Sequence, residues 1–285
     1  MNVGFIGTGS MGSLLVEAFL VSGRLRPEQV WVTNRTLAKA YALSERFPGV
    51  RVAPNAEQVA HTCDRMFVCV KPLEYSDVLD CIANCLRPEQ WLISITSPVS
   101  VADLEALLHA KVAKVIPSIT NGALSGALLV VRGSRFSDAD HRELLDWLHA
   151  IGHPVEIDER WTRIASDLSS CGPAFLSFLL QEMAEAATRE TGLPKPLATE
   201  LVTEMAIGFG RLLATGTFTL EALRQRVCVP GGVTGAGLAV LEAETRGTFD
   251  RLYRRTRQKF EEDVEQVRQR FHRLAPRPSD AEPPS

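Results

Sequence analysis

The stretch GFIGTGSMG, residues 4–12, sets Gly7, Gly9 and Gly12 in GxGxxG spacing. That spacing does phosphate chemistry. The first glycine allows a tight turn, the second lets backbone approach a diphosphate, and the third lets a helix pack on a strand. Thr8, Ser10 and Met11 fill the loop between them and are expected to share its contact with the diphosphate. An apolar run precedes the motif, and Met11, Leu14, Leu15, Ala18 and Phe19 follow at helical spacing. This is the strand–loop–helix context that a dinucleotide needs, with the phosphates on the helix N-terminus. The second apolar run ends in VTNRT, with Asn34, Arg35 and Thr36 where an NAD site carries a carboxylate for the ribose 2′-hydroxyl. A carboxylate would repel a 2′-phosphate, whereas an arginine fork flanked by amide and hydroxyl donors binds it. The expected cofactor is NADP(H).

Two later stretches also carry donors at suitable spacing. VCVPGGVTGAG, residues 227–237, holds Gly231, Gly232 and Thr234 ahead of a helical pattern. SDLSSCGPAFL, residues 166–176, holds Ser169, Cys171 and Gly172 just before Pro173. Proline is tolerated near a helix start, so a helix is expected to begin around Cys171, with Ser169 and Ser170 facing one point. Both stretches read as helix N-termini able to receive a small carboxylate. Both also fit two ordinary helix caps.

The elements that must position these groups fall into two kinds. Apolar runs at residues 2–6, 30–33, 50–53, 65–70, 91–96, 113–116, 127–131 and 154–157 alternate with helical patterns. Such alternation predicts an α/β domain, a Rossmann-like doubly wound parallel sheet covered on both faces. After about Asp158 strand signals stop. Residues 197–214 carry a wide apolar face, and residues 248–271 a seam through Phe249, Leu252, Tyr253, Phe260, Val264, Val267 and Phe271. The expected organisation is a nucleotide-binding domain over 1–157, an all-helical dimerisation and substrate domain over 158–274, and a disordered proline-rich tail over 275–285.

Composition narrows the function. The chain has 285 residues, 45% hydrophobic, with a net charge of −3 and no basic cluster suited to nucleic acid. It has no long apolar run that would span a membrane and no signal-peptide pattern, so it is expected in the cytoplasm. The six cysteines form no zinc-type spacing, and no metal is expected.

Up to about Phe271 the chain resembles the pyrroline-5-carboxylate reductase family. The resemblance rests on GFIGTGSMG, VTNRT, FVCVKP, LSSCGPAF and PGGVTGAGL followed by Leu241-Glu242. It implies hydride transfer from the nicotinamide of NAD(P)H to a cyclic imine carboxylate, 1-pyrroline-5-carboxylate, giving proline. It implies that Asn55, Val70, Lys71 and Pro72 line the cofactor. It also implies that Thr234 hydrogen-bonds near the imine nitrogen and carboxylate, in a pocket with Ser169, Cys171, Gly172, Gly231 and Gly232. Helical domains interlocked in pairs follow as well, giving a homodimer in which the glycine–threonine loop of one chain faces the nucleotide domain of the other. Several positions depart from the family pattern. Val229 and Cys171 each replace a serine, Val233 a threonine, and residues 116–120 (IPSIT) and 96–98 (TSP) differ beside the cofactor. The wording VTNRT, SITSPV, IPSIT and SSCGPAF is most similar to the late-competence branch of the family, which opens a second reading: an NADP-binding regulatory protein with altered or lost reductase activity. A β-hydroxyacid-type dehydrogenase needs a lysine on a helix after the nucleotide domain, and neither Lys195 nor Lys259 sits suitably for that role.

Overall fold

A computed structural model describes residues 1–271. The expected tail over 275–285 lies outside the described residues. Eight strands form one sheet: β1 (Val3–Ile6), β2 (Val30–Thr33), β3 (Arg51–Val52), β4 (Arg65–Val68), β5 (Trp91–Ser94), β6 (Lys111–Ile116), β7 (Ala127–Arg132) and β8 (His153–Glu156). Their order is β3-β2-β1-β4-β5-β6-β7-β8. All neighbours pair in parallel except β6 with β7, which are antiparallel. Residues 117–126 between them form only a short 3₁₀ turn (Ile119–Ala123), too little chain for a parallel crossover.

The connecting helices are α1 (Ser10–Val21), α2 (Leu37–Arg46), α3 (Ala56–Thr62), α4 (Tyr75–Ile82), α5 (Val101–Leu107) and α6 (Asp138–His149). Strand residues alternate between the two faces, as the pleat requires. Phe5, Phe67, Trp91 and Ile93 join Leu15, Phe19 and Trp147 of α1 and α6 on one side. Ile6, Met66, Val68 and Leu92 join Val59, Leu79 and Leu104 of α3, α4 and α5 on the other. The Phe5 and Phe67 rings stack with centroids 5.0 Å apart. Full burial of each such side chain contributes about 1.5–3 kcal/mol.

The rest is helical: α7 (Thr162–Ser166), a π-helical turn (Asp167–Cys171), α8 (Gly172–Thr191), α9 (Lys195–Ala214), α10 (Leu220–Val227), α11 (Val233–Thr245) and α12 (Thr248–Phe271). The chain separates into two compact units, one of Met1–Cys171 with the chain from Thr256 onward, the other Gly172–Arg255. The end of α12 therefore belongs with the sheet, and its Val267 and Phe271 are buried in that unit's core.

The second unit is unusual in its packing. Among its described residues only Ala184 and Ala198 are buried. Phe178 and Met183 of α8, Leu201 and Met205 of α9, and Val240 and Leu241 of α11 are each about half exposed or more. A groove of about 680 Å³ runs between α8 and α9, walled by Leu176, Leu180, Ala184, Val202 and Ala206. Isolated monomers rarely leave apolar faces this broad open to water. No helix among the described residues is long and apolar enough to cross a membrane.

Candidate active site

The loop between β1 and α1 is shaped by backbone demands that only glycine meets. Gly7 has φ +101°, and a Cβ there would stand 2.8 Å from the Cys69 carbonyl oxygen. A Cβ on Gly12 would stand 2.0 Å from the Gly7 carbonyl oxygen, so any larger residue would push α1 off the loop. The Gly7 N–H donates to the Thr33 carbonyl (2.8 Å), and the Thr8 N–H donates to Asn34 Oδ1 (3.1 Å). Asn34 also donates from Nδ2 to the Thr36 carbonyl (3.0 Å). Its amide is thus occupied in tying the glycine loop to the end of β2.

A cleft of about 490 Å³ opens along the C-terminal ends of β1, β2 and β4. It collects Gly7, Gly9, Asn34, Arg35, Thr36, Asn55, Val70 and Lys71. Thr8, Ser10, Met11, Gly12 and Pro72 do not line it. Ser10 opens α1, Gly12 is buried beneath the loop, and Pro72 starts the 3₁₀ turn Pro72–Glu74. Asn55 caps α3, its Oδ1 accepting from the Gln58 N–H at 2.9 Å. Two features of the loop fit a bound diphosphate. The space beside the Gly9 Cα is open to 4 Å, and the buried Thr8 Oγ1 has no hydrogen-bond partner. A buried hydroxyl without a partner is costly unless a ligand completes it.

Sequence reasoning missed several residues of the cleft, among them the charged Lys39, Glu74 and Asp77 and the thiol of Cys69. Lys39 lies in the first turn of α2, four residues after Arg35, which itself precedes the N-cap Thr36. Glu74 pairs with Arg35, Oε1 to Nη1 at 2.9 Å. Burial pushes the Cys69 thiol up, so it forms a neutral wall rather than a nucleophile. Beyond the cleft, on the loop after β5, Ser97 Oγ is buried without a partner, while its carbonyl accepts from Lys114 Nζ at 3.2 Å. Burial pushes the Lys114 ammonium down, and Glu159 Oε1, 2.5 Å away, works against that.

The segment around Pro173 differs from expectation. α8 does begin at Gly172, beside Cys171, but not as a free helix end. The elements α7, the π turn and α8 follow one another without a break, so Ser169 and Ser170 do not offer free N–H groups at a helix start. Pro173 lacks the N–H that would bond the Ser169 carbonyl four residues back. That carbonyl accepts instead from Ser118 Oγ (2.9 Å), and Ser170 Oγ donates to the Pro117 carbonyl (2.9 Å). Ser169 Oγ turns back to the Ala165 carbonyl (2.8 Å). A buried Asp167 anchors the turn, accepting from Arg163 Nη2 (2.7 Å) and Thr256 Oγ1 (2.7 Å). Arg163 Nη2 also stands 3.3 Å from Cys171 Sγ. Removing the Ser118 hydroxyl strands the Ser169 carbonyl. Ser118→Ala is expected to destabilise the first unit by about 1–2 kcal/mol, read as a lowered midpoint in chemical denaturation. A change under about 0.3 kcal/mol would mean that the carbonyl finds another donor.

The second glycine run does open a helix. Gly231 takes φ +72°, Gly232 is the extended cap residue, and Val233 begins α11. No side chain caps this end. Thr234 is the second helical residue, half-buried, and its hydroxyl makes no hydrogen bond among the described residues. Val229 and Val233 flank the turn at 60% and 90% exposure, so apolar surface rims the free N–H groups. Lys195 pairs with Glu185 at 3.0 Å. Among the described residues no group of three or more His, Cys, Asp or Glu could hold a metal ion.

The sheet, the glycine loop and its cleft define a dinucleotide-binding oxidoreductase fold. Residues 2–98 match the family described as NADP oxidoreductase coenzyme F420-dependent, and residues 159–263 match pyrroline-5-carboxylate reductase dimerisation. ComE operon protein 4 of Bacillus subtilis is 42% identical over 95% of this chain and all of its own length. Pyrroline-5-carboxylate reductase 3 of the same organism is 30% identical over 93% of this chain and 98% of its own. The crystal structure of Plasmodium falciparum pyrroline carboxylate reductase with NADP bound superposes with a TM-score of 0.77 at 23% identity, covering 95% of this chain and 98% of that one. The chain belongs to the pyrroline-5-carboxylate reductase family, a group of NADP-dependent oxidoreductases.

Proposed function

We propose that this protein reduces a cyclic imine carboxylate, 1-pyrroline-5-carboxylate in the first instance, using NADPH. The observation that carries the reading is the cleft beside the glycine loop, with Arg35 just after β2, Lys39 in the first turn of α2 and no carboxylate among Asn34, Arg35 and Thr36. NADPH supplies the hydride. The chain's own groups bind and orient. The glycine loop and Thr8 hold the diphosphate, Arg35 holds the 2′-phosphate, and Asn55, Val70, Lys71 and Pro72 border the rest. The free N–H groups of α11, with Gly231, Gly232 and Thr234, receive the substrate carboxylate. A protonated imine is already electrophilic, so a strong general acid is dispensable.

The same reading assigns the open faces of α8, α9 and α11 to a second copy of the chain. A unit with two buried alanines gains most of its apolar burial only by pairing, and the match to a dimerisation family supports this. Each site would then be completed by the loop of the other copy. Full-length protein is expected to sediment as a dimer or a multiple of it at micromolar concentration; a monodisperse monomer with full activity would overturn the shared site.

The second reading is an NADP-binding regulatory protein. Val229 and Val233 favour it, since both put apolar surface where the family pattern has hydroxyls. The deciding experiment follows reduced-cofactor absorbance with purified protein, NADPH and pyrroline-5-carboxylate. Turnover supports the reductase. NADPH binding without turnover on several cyclic imines supports the regulator.

A further inference from the structure

The Arg35 guanidinium, assigned above to the 2′-phosphate, already holds an anion. Glu74 Oε1 lies 2.9 Å from Arg35 Nη1, and both residues line the same cleft. Glu74 is not a drifting surface carboxylate. Its backbone N–H bonds the Lys71 carbonyl at 2.9 Å, closing the 3₁₀ turn that Pro72 begins. Its Oε2 accepts from the Lys71 N–H at 3.4 Å. The turn thus brings one carboxylate oxygen toward the Lys71 N–H, a long contact, and leaves the other on Arg35. The Glu74 side chain is 32% exposed against 83% for Arg35, so the carboxylate is the better-held partner.

We propose that Glu74 sets the cofactor discrimination of this cleft, by holding Arg35 in competition with the 2′-phosphate. This rests on the dinucleotide reading of the cleft. A phosphate dianion must detach the guanidinium from Glu74 or share it with a nearby negative charge. Both options weaken the phosphate contact. A plain ribose brings only a hydroxyl, for which a carboxylate is a good acceptor. The pair thus narrows the preference for NADPH from both sides. Arg35 supplies the attraction, and Glu74 limits its size.

The test uses full-length protein and two probes, adenosine 2′,5′-bisphosphate and 5′-AMP, titrated by calorimetry. Glu74→Gln keeps the acceptor for the Lys71 N–H and removes only the charge. An exposed ion pair contributes little, so the expected gain is modest: bisphosphate about threefold to fivefold tighter, 5′-AMP within about twofold of wild type. Most of the gain should vanish at about 0.5 M salt. It should also fall below about twofold in an Arg35→Gln background, because the competition needs the guanidinium. Equal tightening of both probes would mean a change of pocket shape, and an unchanged or weaker bisphosphate would mean no competition; each overturns the role of Glu74 alone. Wild-type protein that binds neither probe would overturn the dinucleotide reading and Glu74 with it.

Discussion

Thr234→Val is expected to lower kcat/KM on pyrroline-5-carboxylate by about 100-fold, the effect typical of removing one positioned donor. The argument starts from the end of α11. Its first N–H groups have no helical partner, Gly232 brings no side chain to cap them, and the helix dipole adds positive potential. Thr234 contributes a hydroxyl beside those groups, and that hydroxyl is unengaged among the described residues. A carboxylate bound there takes two kinds of donor at once, backbone and side chain. Valine keeps the branched shape and deletes only the hydroxyl, so helix and loop should survive. NADPH affinity should stay within about twofold, since Thr234 and the glycine loop belong to different compact units. The check is initial-rate kinetics on the variant beside NADPH calorimetry. An unchanged kcat/KM on the true substrate would remove Thr234 from the site.

Arg35→Asp is expected to weaken NADPH by about 10- to 100-fold and to leave NADH equal or better. A hydrogen bond to a charged group contributes about 1.5–3 kcal/mol, which converts to that range of affinity. The lower end is favoured here because Glu74 already engages the guanidinium. Lys39 remains in the cleft of the variant and preserves part of the phosphate attraction. Asn34 replaces Arg35 poorly, since its amide is uncharged and already bonded to the Thr8 N–H and the Thr36 carbonyl. The new carboxylate would repel a 2′-phosphate and accept from a 2′-hydroxyl. Calorimetry with both cofactors measures the ratio directly. Equal binding of NADPH and NADH by the unmodified protein would sink the assignment of Arg35.

Much of the first unit was legible in the residue order. Short apolar runs such as VWVT and RMFV are buried strands, and the glycine loop opens α1 as its spacing requires. These features are local. A strand buried on both faces is apolar along most of its length, and a loop that turns against a carbonyl must use glycine. Around Pro173 the residue order suggested a free helix end, where the chain instead runs on from α7 through the π turn into α8. Proline inside a helix leaves a carbonyl unpaired, so sequence alone favours a helix start at Cys171. The donor that permits continuation is Ser118, fifty-one positions away in the chain.

Residue order by itself thus determined the class of sheet, the glycine loop that opens α1, the polar end of β2 and the glycine turn ahead of α11. Each follows from steric or hydrogen-bonding demands met within a few residues. Tertiary structure decided what those groups face. It set Glu74 against Arg35, brought Ser118 to the carbonyl that Pro173 leaves free, and gave the end of α12 to the core of the sheet unit. It also left α8, α9 and α11 with their apolar faces open. Such pairings join residues far apart in the chain. Their partners are selected by burial and charge in the folded molecule, where no periodicity or spacing records them.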